Sequence, residues 1–107
     1  MVLITGPMFA GKTEYARSLG FDTASMVYDA QELARTHDDL DALADELAAK
    51  QMVICTEVGG GIVPIDKDER IFRERAGRLS VLLAKRAEKV VRIWCGLPQV
   101  LKEDRPC

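Results

Sequence analysis

The sequence predicts an α/β domain built around a small, mainly parallel sheet, and three observations lead to this prediction. Short apolar runs rich in β-branched residues alternate along the chain with helical segments, which is the order of parallel strands joined by helical crossovers. The 107 residues suffice for one domain with one core. Apolar residues make up 48% of the chain and charged residues 30%, as in ordinary globular domains. We therefore expect a single domain over residues 1–107.

Four strands and three helices are predicted in alternating order. The strands are apolar runs at residues 2–5, 25–29, 51–57 and 90–96. The helices are predicted at residues 12–19, 36–50 and 66–89, where apolar side chains recur at helical spacing. Three helices cover two sheet faces poorly, so the sheet edge or face can be closed by another copy of the chain, giving a homo-oligomer.

The most specific motif is GPMFAGKT, which follows the first predicted strand and opens the first predicted helix. It fits the phosphate-binding pattern G-x-x-x-x-G-K-[ST] at every fixed position. Its backbone N–H groups can surround a phosphate, and the Thr13 hydroxyl can ligate Mg²⁺. Lys12 can reach the outer phosphates and is a candidate catalytic residue that neutralises the transferred phosphate. The motif predicts a P-loop NTPase-like three-layer domain that binds ATP or GTP with Mg²⁺. The predicted nucleotide-binding residues are Gly6, Pro7, Met8, Phe9, Ala10, Gly11, Lys12 and Thr13.

Two acidic residues stand at the ends of predicted strands. Asp29 ends the second strand and Glu57 ends the third, so both should emerge at the carboxyl edge of the sheet, where such folds bind ligands. Asp29 is a candidate metal ligand. Glu57 is a candidate catalytic residue, holding the metal through water or accepting a proton from the incoming hydroxyl. The alternative is that each acid only caps a turn or a helix.

The stretch TEVGGGIVP and the long third helix supply the candidate substrate contacts. Gly59, Gly60 and Gly61 give a bare backbone that can approach a ligand closely at the same edge. Arg75 falls among the apolar residues of its helix, where a buried guanidinium needs an anion, and Arg78 can face a phosphorylated substrate. The alternative for the helix arginines is an exposed charged face with Glu–Arg pairs.

TEVGGGIVP, FRERAGRL and CGLPQVLK together resemble the closing third of the bifunctional adenosylcobinamide kinase and adenosylcobinamide-phosphate guanylyltransferase family of cobalamin biosynthesis. The resemblance is loose over residues 1–19 and closer over residues 53–102. It implies phosphoryl transfer to a cobinamide-like small molecule. The positions that match the family's three signatures are Gly6, Gly11, Lys12 and Thr13, then Glu57, Val58, Gly59, Gly61, Ile62, Val63 and Pro64, then Ala76, Gly77 and Arg78.

The sequence also departs from that family. Its members are longer and carry a histidine that becomes guanylylated in an Arg-Pro and Trp context, whereas His37 is the sole histidine here and lies beside acidic residues. We therefore do not expect guanylyl transfer. The loop GPMFAGK is locally similar to that of thymidine kinases, but the rest of the chain does not follow them.

The predicted function is a nucleotide-dependent kinase of the cytoplasm. Fifteen Lys and Arg residues against 17 Asp and Glu leave a net charge of -2, which disfavours nucleic-acid and membrane partners. Two alternatives remain open: a noncatalytic nucleotide-binding or assembly module that kept only the phosphate loop, and a kinase for an unrelated small molecule.

Overall fold

The computed structural model describes residues 1–8, 10–21, 23–57 and 66–104 of the chain. Within these ranges the strands are β1 (Val2–Gly6), β2 (Met26–Val27), β3 (Met52–Thr56), β4 (Lys89–Trp94) and β5 (Leu97–Glu103). The α-helices are α1 (Lys12–Ser18), α2 (Leu40–Ala48) and α3 (Lys67–Arg86), and two 3₁₀ helices span Thr23–Ser25 and Ala30–Arg35. None of the described helices is both long and apolar enough to cross a bilayer.

The strands form one sheet in the order β2-β3-β1-β4-β5. The pairs β2–β3, β3–β1 and β1–β4 are parallel, and β5 runs antiparallel to β4 at one edge. This confirms the predicted α/β fold with a small, mainly parallel sheet. The predicted count of four strands is wrong, because the fifth strand was not foreseen.

Helices cover both faces of the sheet and make a three-layer domain. Alternate strand residues point to opposite faces: Leu3 packs with α2, α3 and the second 3₁₀ helix, whereas Ile4 packs with Ala16 of α1. The face under α2 and α3 also buries Val53, Cys55 and Val90. The site described below lies where β1 and β3 both end, since Gly6 and Thr56 are paired there in parallel register.

A tight hairpin turn joins β4 to the antiparallel strand. Cys95 and Gly96 occupy it with φ angles of 53° and 75°, and two consecutive positive φ values are the mark of a type I′ turn. The predicted fourth strand runs through Gly96, but β4 ends at Trp94. The chain reverses there because the two-residue turn pairs Trp94 with Leu97.

The segment between β2 and β3 differs most from the prediction. Residues 36–50 were expected to form one helix, but Ala30–Arg35 is a 3₁₀ helix and α2 starts only at Leu40. The Asp39 carboxylate accepts a hydrogen bond from Ala42 N–H at 3.1 Å, and this N-cap fixes the start of the helix. Strand β2 is two residues long rather than the five predicted.

Candidate functional site

A cavity of about 550 Å³ opens at the carboxyl edge of the sheet, beside the loop that joins β1 to α1. Side chains from the loop, from the segment after β2 and from the end of β3 meet there, although they lie far apart in sequence. The residues that line it are Met8, Ala10, Gly11, Lys12, Thr13, Glu14, Tyr28, Asp29, Ile54 and Thr56. The structure thus brings together most of the predicted phosphate loop and the predicted metal ligand Asp29.

Two glycines allow the loop to lie close to its neighbours. Gly6 has a φ of +148°, and a Cβ atom placed on it would stand 2.4 Å from the carbonyl oxygen of Ile93. Gly11 has a φ of +91°, and its Cβ would stand 3.3 Å from Gly96 Cα. Gly96 N–H also donates to the Ala10 carbonyl at 2.8 Å. The β4–β5 turn therefore packs against the loop at Ala10 and Gly11. A side chain at Gly6 would instead clash with the backbone of β4 at Ile93.

The side chain of Lys12 is buried, with 6% of the residue exposed. Its ammonium group donates to the Pro7 carbonyl at 2.5 Å, within its own loop. Burial lowers the pKa of Lys12 below its ordinary value of 10.5, and the negative charges of Asp29 and Glu57 partly oppose this shift. The buried Lys12 ammonium lies at the cavity beside the loop. A buried cation is stabilised by an anion, so this position is suited to bind a phosphate.

Asp29 lines the cavity together with the loop and is the N-cap residue of the second 3₁₀ helix. Its φ is 52° and its side chain makes no capping hydrogen bond, so the capping role considered for it is not seen. Gln31, buried with 6% exposed, accepts Thr56 N–H at 2.9 Å, and its Nε2 lies 3.5 Å from the Asp29 Oδ1. Gln31 thereby ties the end of β3 to the segment that carries Asp29.

Glu57 follows β3 directly and forms a bidentate ion pair with Arg92 of β4. Arg92 Nε and Nη2 donate to the two carboxylate oxygens at 2.7 and 2.9 Å. Its guanidinium carbon lies 4.7 Å from the centre of the Trp94 ring. The Glu57 carboxylate raises the pKa of Arg92 through these hydrogen bonds. Glu57 is thus held beside the cavity, and each of its oxygens keeps acceptor capacity for a second donor.

Other predicted site residues lie elsewhere or outside the described part of the chain. Arg75 donates to the backbone carbonyls of Ala34 and His37 rather than to an anion, because the second 3₁₀ helix ends against its side chain. Arg78 is exposed on α3, and neither arginine lines the cavity. Phe9 and the glycines Gly59, Gly60 and Gly61 lie outside the described residues.

His37 does not meet the cavity at the sheet edge. It precedes α2, and its Nδ1 lies 2.9 Å from the Leu33 carbonyl oxygen. It lines a separate cavity of about 370 Å³ with Leu33, Leu43 and Glu46. His37 therefore lies outside the cavity that joins the loop and Asp29.

The hydroxyl oxygen of Thr13 and the carboxylate oxygens of Asp29 are the types of ligand that Mg²⁺ binds. Both residues line the same cavity, and Mg²⁺ prefers a hydroxyl or carboxylate together with waters and substrate phosphates over a cage of protein ligands. No cluster of three or more His, Cys, Asp or Glu side chains suited to a metal occurs in the described ranges. A site that takes one or two ligands from the protein does not require such a cluster.

Sequence reasoning missed Gln31, Arg92 and the β4–β5 turn. Gln31 and Arg92 belong to no motif, and their roles depend on contacts with residues that are distant in sequence. The turn had a local signal, the dipeptide Cys95-Gly96 between two apolar runs. Pro98, two residues after Gly96, argues against a further strand except at a sheet edge, which is where β5 lies.

The fold and this site define the chain as an α/β protein of the P-loop NTPase-like class. A family model described as cobinamide kinase / cobinamide phosphate guanyltransferase matches residues 18–101. That range covers most of the 107 residues and begins after the Gly6–Thr13 loop. The chain belongs to this family, whose members are enzymes of cobalamin synthesis. No curated protein matches the chain.

Proposed function

We propose that this chain is a kinase that transfers a phosphoryl group from ATP or GTP to a hydroxyl of a cobinamide-like small molecule. The observation that carries the proposal is the cavity at the sheet edge. It joins the loop, Lys12, Thr13 and Asp29 beside Glu57, in a chain whose family description names a cobinamide kinase.

The proposed reaction is a direct displacement at the γ-phosphorus. The acceptor hydroxyl oxygen bonds to phosphorus while the bond to the β,γ-bridging oxygen breaks, so a nucleoside diphosphate leaves. Lys12 binds the transferred group by exchanging its hydrogen bond to the Pro7 carbonyl for one to a phosphate oxygen. A hydrogen bond between two charged groups is stronger than one from an ammonium to a neutral carbonyl, and the loop N–H groups orient the remaining oxygens.

Thr13, Asp29 and Glu57 have separate roles in this proposal. Thr13 and Asp29 would hold Mg²⁺, which when bound offsets the charge on the phosphate oxygens. Glu57 accepts the proton of the acceptor hydroxyl on a lone pair that Arg92 leaves open. The predicted contact of the Gly59–Gly61 backbone with nucleotide or acceptor stays part of the proposal. Arg75 and Arg78 are not included, because neither lines the cavity.

The first test is nucleotide binding measured by titration calorimetry with ATP or GTP and Mg²⁺. Lys12→Ala should weaken the affinity at least about 100-fold, because a buried charge-assisted bond to phosphate is lost. Lys50→Ala is the matched control, since Lys50 is exposed after α2 and lines a different cavity. An unchanged affinity of Lys12→Ala would contradict the proposed site.

The second test separates the kinase from the alternatives. Nucleoside diphosphate should be released faster when cobinamide is present, and phosphorylated cobinamide should accumulate in equal amount. Glu57→Gln should lower the rate while nucleotide affinity changes little. Magnesium-dependent binding without turnover would instead identify a noncatalytic module, and turnover only with another hydroxyl compound would identify a kinase for an unrelated acceptor.

A further inference from the structure

The ion pair between Glu57 and Arg92 links strands that are not neighbours in the sheet. Strand β1 lies between β3 and β4, so the Arg92 side chain passes over β1 to reach a residue at the end of β3. Two strand spacings amount to about 10 Å, a distance that a long arginine and a glutamate can bridge together. On the backbone side, Glu57 N–H donates to the Gly6 carbonyl at 2.8 Å. Glu57 is therefore fixed from two directions.

The geometry of the pair restricts the orientation of the carboxylate. A single hydrogen bond would let the carboxylate rotate, but Arg92 engages both oxygens at 2.7 and 2.9 Å and so fixes its plane. Trp94 lies two residues further along β4, so its side chain is on the same face, and its ring stands 4.7 Å from the guanidinium carbon. The ring limits the positions that the guanidinium can take.

Stability alone is a weak explanation for this arrangement. Both partners are about one third exposed, at 33% for Arg92 and 37% for Glu57, and ion pairs of that exposure contribute little to folding. The same fold holds another arginine ion pair at the end of α3, outside the cavity, where Arg86 Nε lies 2.7 Å from Asp45 Oδ1. The distinguishing property of the Glu57 pair is its place beside Lys12 and the cavity.

We propose that Arg92 is a positioning residue that orients the Glu57 carboxylate toward the acceptor hydroxyl, with Trp94 supporting the guanidinium. This inference rests on the proposed kinase function. Arg92 itself does not contact the transferred phosphate. Its contribution lies in keeping Glu57 within hydrogen-bond reach of the proton that leaves the hydroxyl, where a displacement of about 1 Å can slow a reaction about 100-fold.

The test compares the steady-state rates of Arg92→Ala, Arg92→Lys and Arg86→Ala with that of the wild-type protein. Arg92→Ala should lower kcat about 10- to 100-fold, while nucleotide affinity stays within about threefold because no phosphate contact is lost. Arg92→Lys should recover little, since an ammonium cannot engage both oxygens. Arg86→Ala removes an arginine's ion pairs at the end of α3, outside the cavity, and should leave kcat unchanged.

Two further measurements exclude a merely structural role. Guanidinium chloride at millimolar, nondenaturing concentration should restore part of the kcat of Arg92→Ala, and should not affect Glu57→Gln. In the double variant Glu57→Gln/Arg92→Ala, the second substitution should cause no further loss, because it acts only through Glu57. Additive losses, or a full kcat in Arg92→Ala, would overturn the proposal.

The outcomes also separate this inference from the proposed function. If the wild-type protein phosphorylates no hydroxyl acceptor, the proposed function fails and the role of Arg92 fails with it. If the wild-type protein is active and Arg92→Ala is equally active, only the role of Arg92 fails. If Arg92→Ala weakens nucleotide binding as strongly as Lys12→Ala, Arg92 is a phosphate ligand and its assignment as a positioning residue is wrong.

Discussion

Gly6 shows how one residue sets the geometry of the site. It ends β1, and its carbonyl accepts Glu57 N–H while its Cα faces the carbonyl of Ile93 on the neighbouring strand β4. The first glycine of the loop motif is thus required for two reasons: its φ of +148° is in a region that side chains rarely adopt, and no space remains for a Cβ. Gly20 has a φ of +75° but open space around it.

We predict that Gly6→Ala and Gly20→Ala differ strongly in their effect on stability. Gly20→Ala should lower the free energy of unfolding by about 1 kcal/mol, the conformational cost alone. Gly6→Ala should lower it by about 3 kcal/mol or more, because backbone atoms of β4 must also move. Urea denaturation followed by circular dichroism measures both values. Equal losses would show that the close approach of Gly6 to Ile93 does not contribute to the effect of Gly6→Ala on the free energy of unfolding.

At the scale of single residues, the sequence predicted the positions that depend on neighbouring residues in the chain. Lys12 and Thr13 follow a strand and a glycine at the spacing of a phosphate loop, and Asp29 follows a strand, so all three reach the same cavity. Gln31 and Arg92 could not be predicted in this way. Their partners are 25 and 35 residues away in sequence, and only the tertiary fold brings them together.

At the scale of elements, helices set by local sequence signals were predicted, and those held by tertiary contacts were missed. The boundaries of α3 were predicted within three residues, because its apolar spacing and flanking charges are local signals. The 3₁₀ helix Ala30–Arg35 was missed because it lacks helical periodicity over a sufficient length. It is held by tertiary contacts, among them the hydrogen bond from Arg75 to the Ala34 carbonyl at 2.9 Å.

We predict that Arg75→Ala destabilises the fold without changing nucleotide affinity. The substitution removes two charge-assisted hydrogen bonds to the carbonyls of Ala34 and His37, so the free energy of unfolding should fall by about 2 kcal/mol. Arg70→Ala, at an exposed position of the same helix, should change it by less than about 0.5 kcal/mol. Calorimetric titration with nucleotide completes the test. A large loss of nucleotide affinity in Arg75→Ala would contradict this prediction and support the sequence-based assignment of Arg75 to the substrate site.

At the scale of the whole molecule, helices pack on both faces of the central strands but leave both faces of the edge strand β5 open. Leu97, Val100 and Leu101 of β5 are at least half exposed, at 70%, 50% and 55%. Pro98 and the charged residues Lys102 and Glu103 lie on the same strand and act against edge-to-edge pairing. Association with another copy of the chain stays a prediction, and light scattering at working concentration decides it.

Binding of nucleotide should stabilise the whole molecule to an extent that depends on the charge of Lys12. At 100 times the dissociation constant, ATP with Mg²⁺ adds about 2.7 kcal/mol to the free energy of unfolding, which corresponds to a rise in Tm on the order of 10 °C. Burial lowers the pKa of Lys12 below 10.5 in the free protein, whereas a bound phosphate favours the charged ammonium. As pH rises through this lowered pKa, binding must also bring about protonation of Lys12, so affinity falls.

The charge of Lys12 acts in the opposite sense on the protein without nucleotide. Because the folded pKa lies below the unfolded one, burying the ammonium costs stability at neutral pH, and this cost disappears as pH rises from the lowered pKa toward 10.5. The rise in Tm caused by ATP should therefore be largest near neutral pH and shrink toward pH 10.5, as differential scanning fluorimetry at constant ionic strength can measure. Lys12→Ala should show little rise at any pH. A rise that stays constant across this range in the wild-type protein would mean that the Lys12 ammonium does not bind the phosphates.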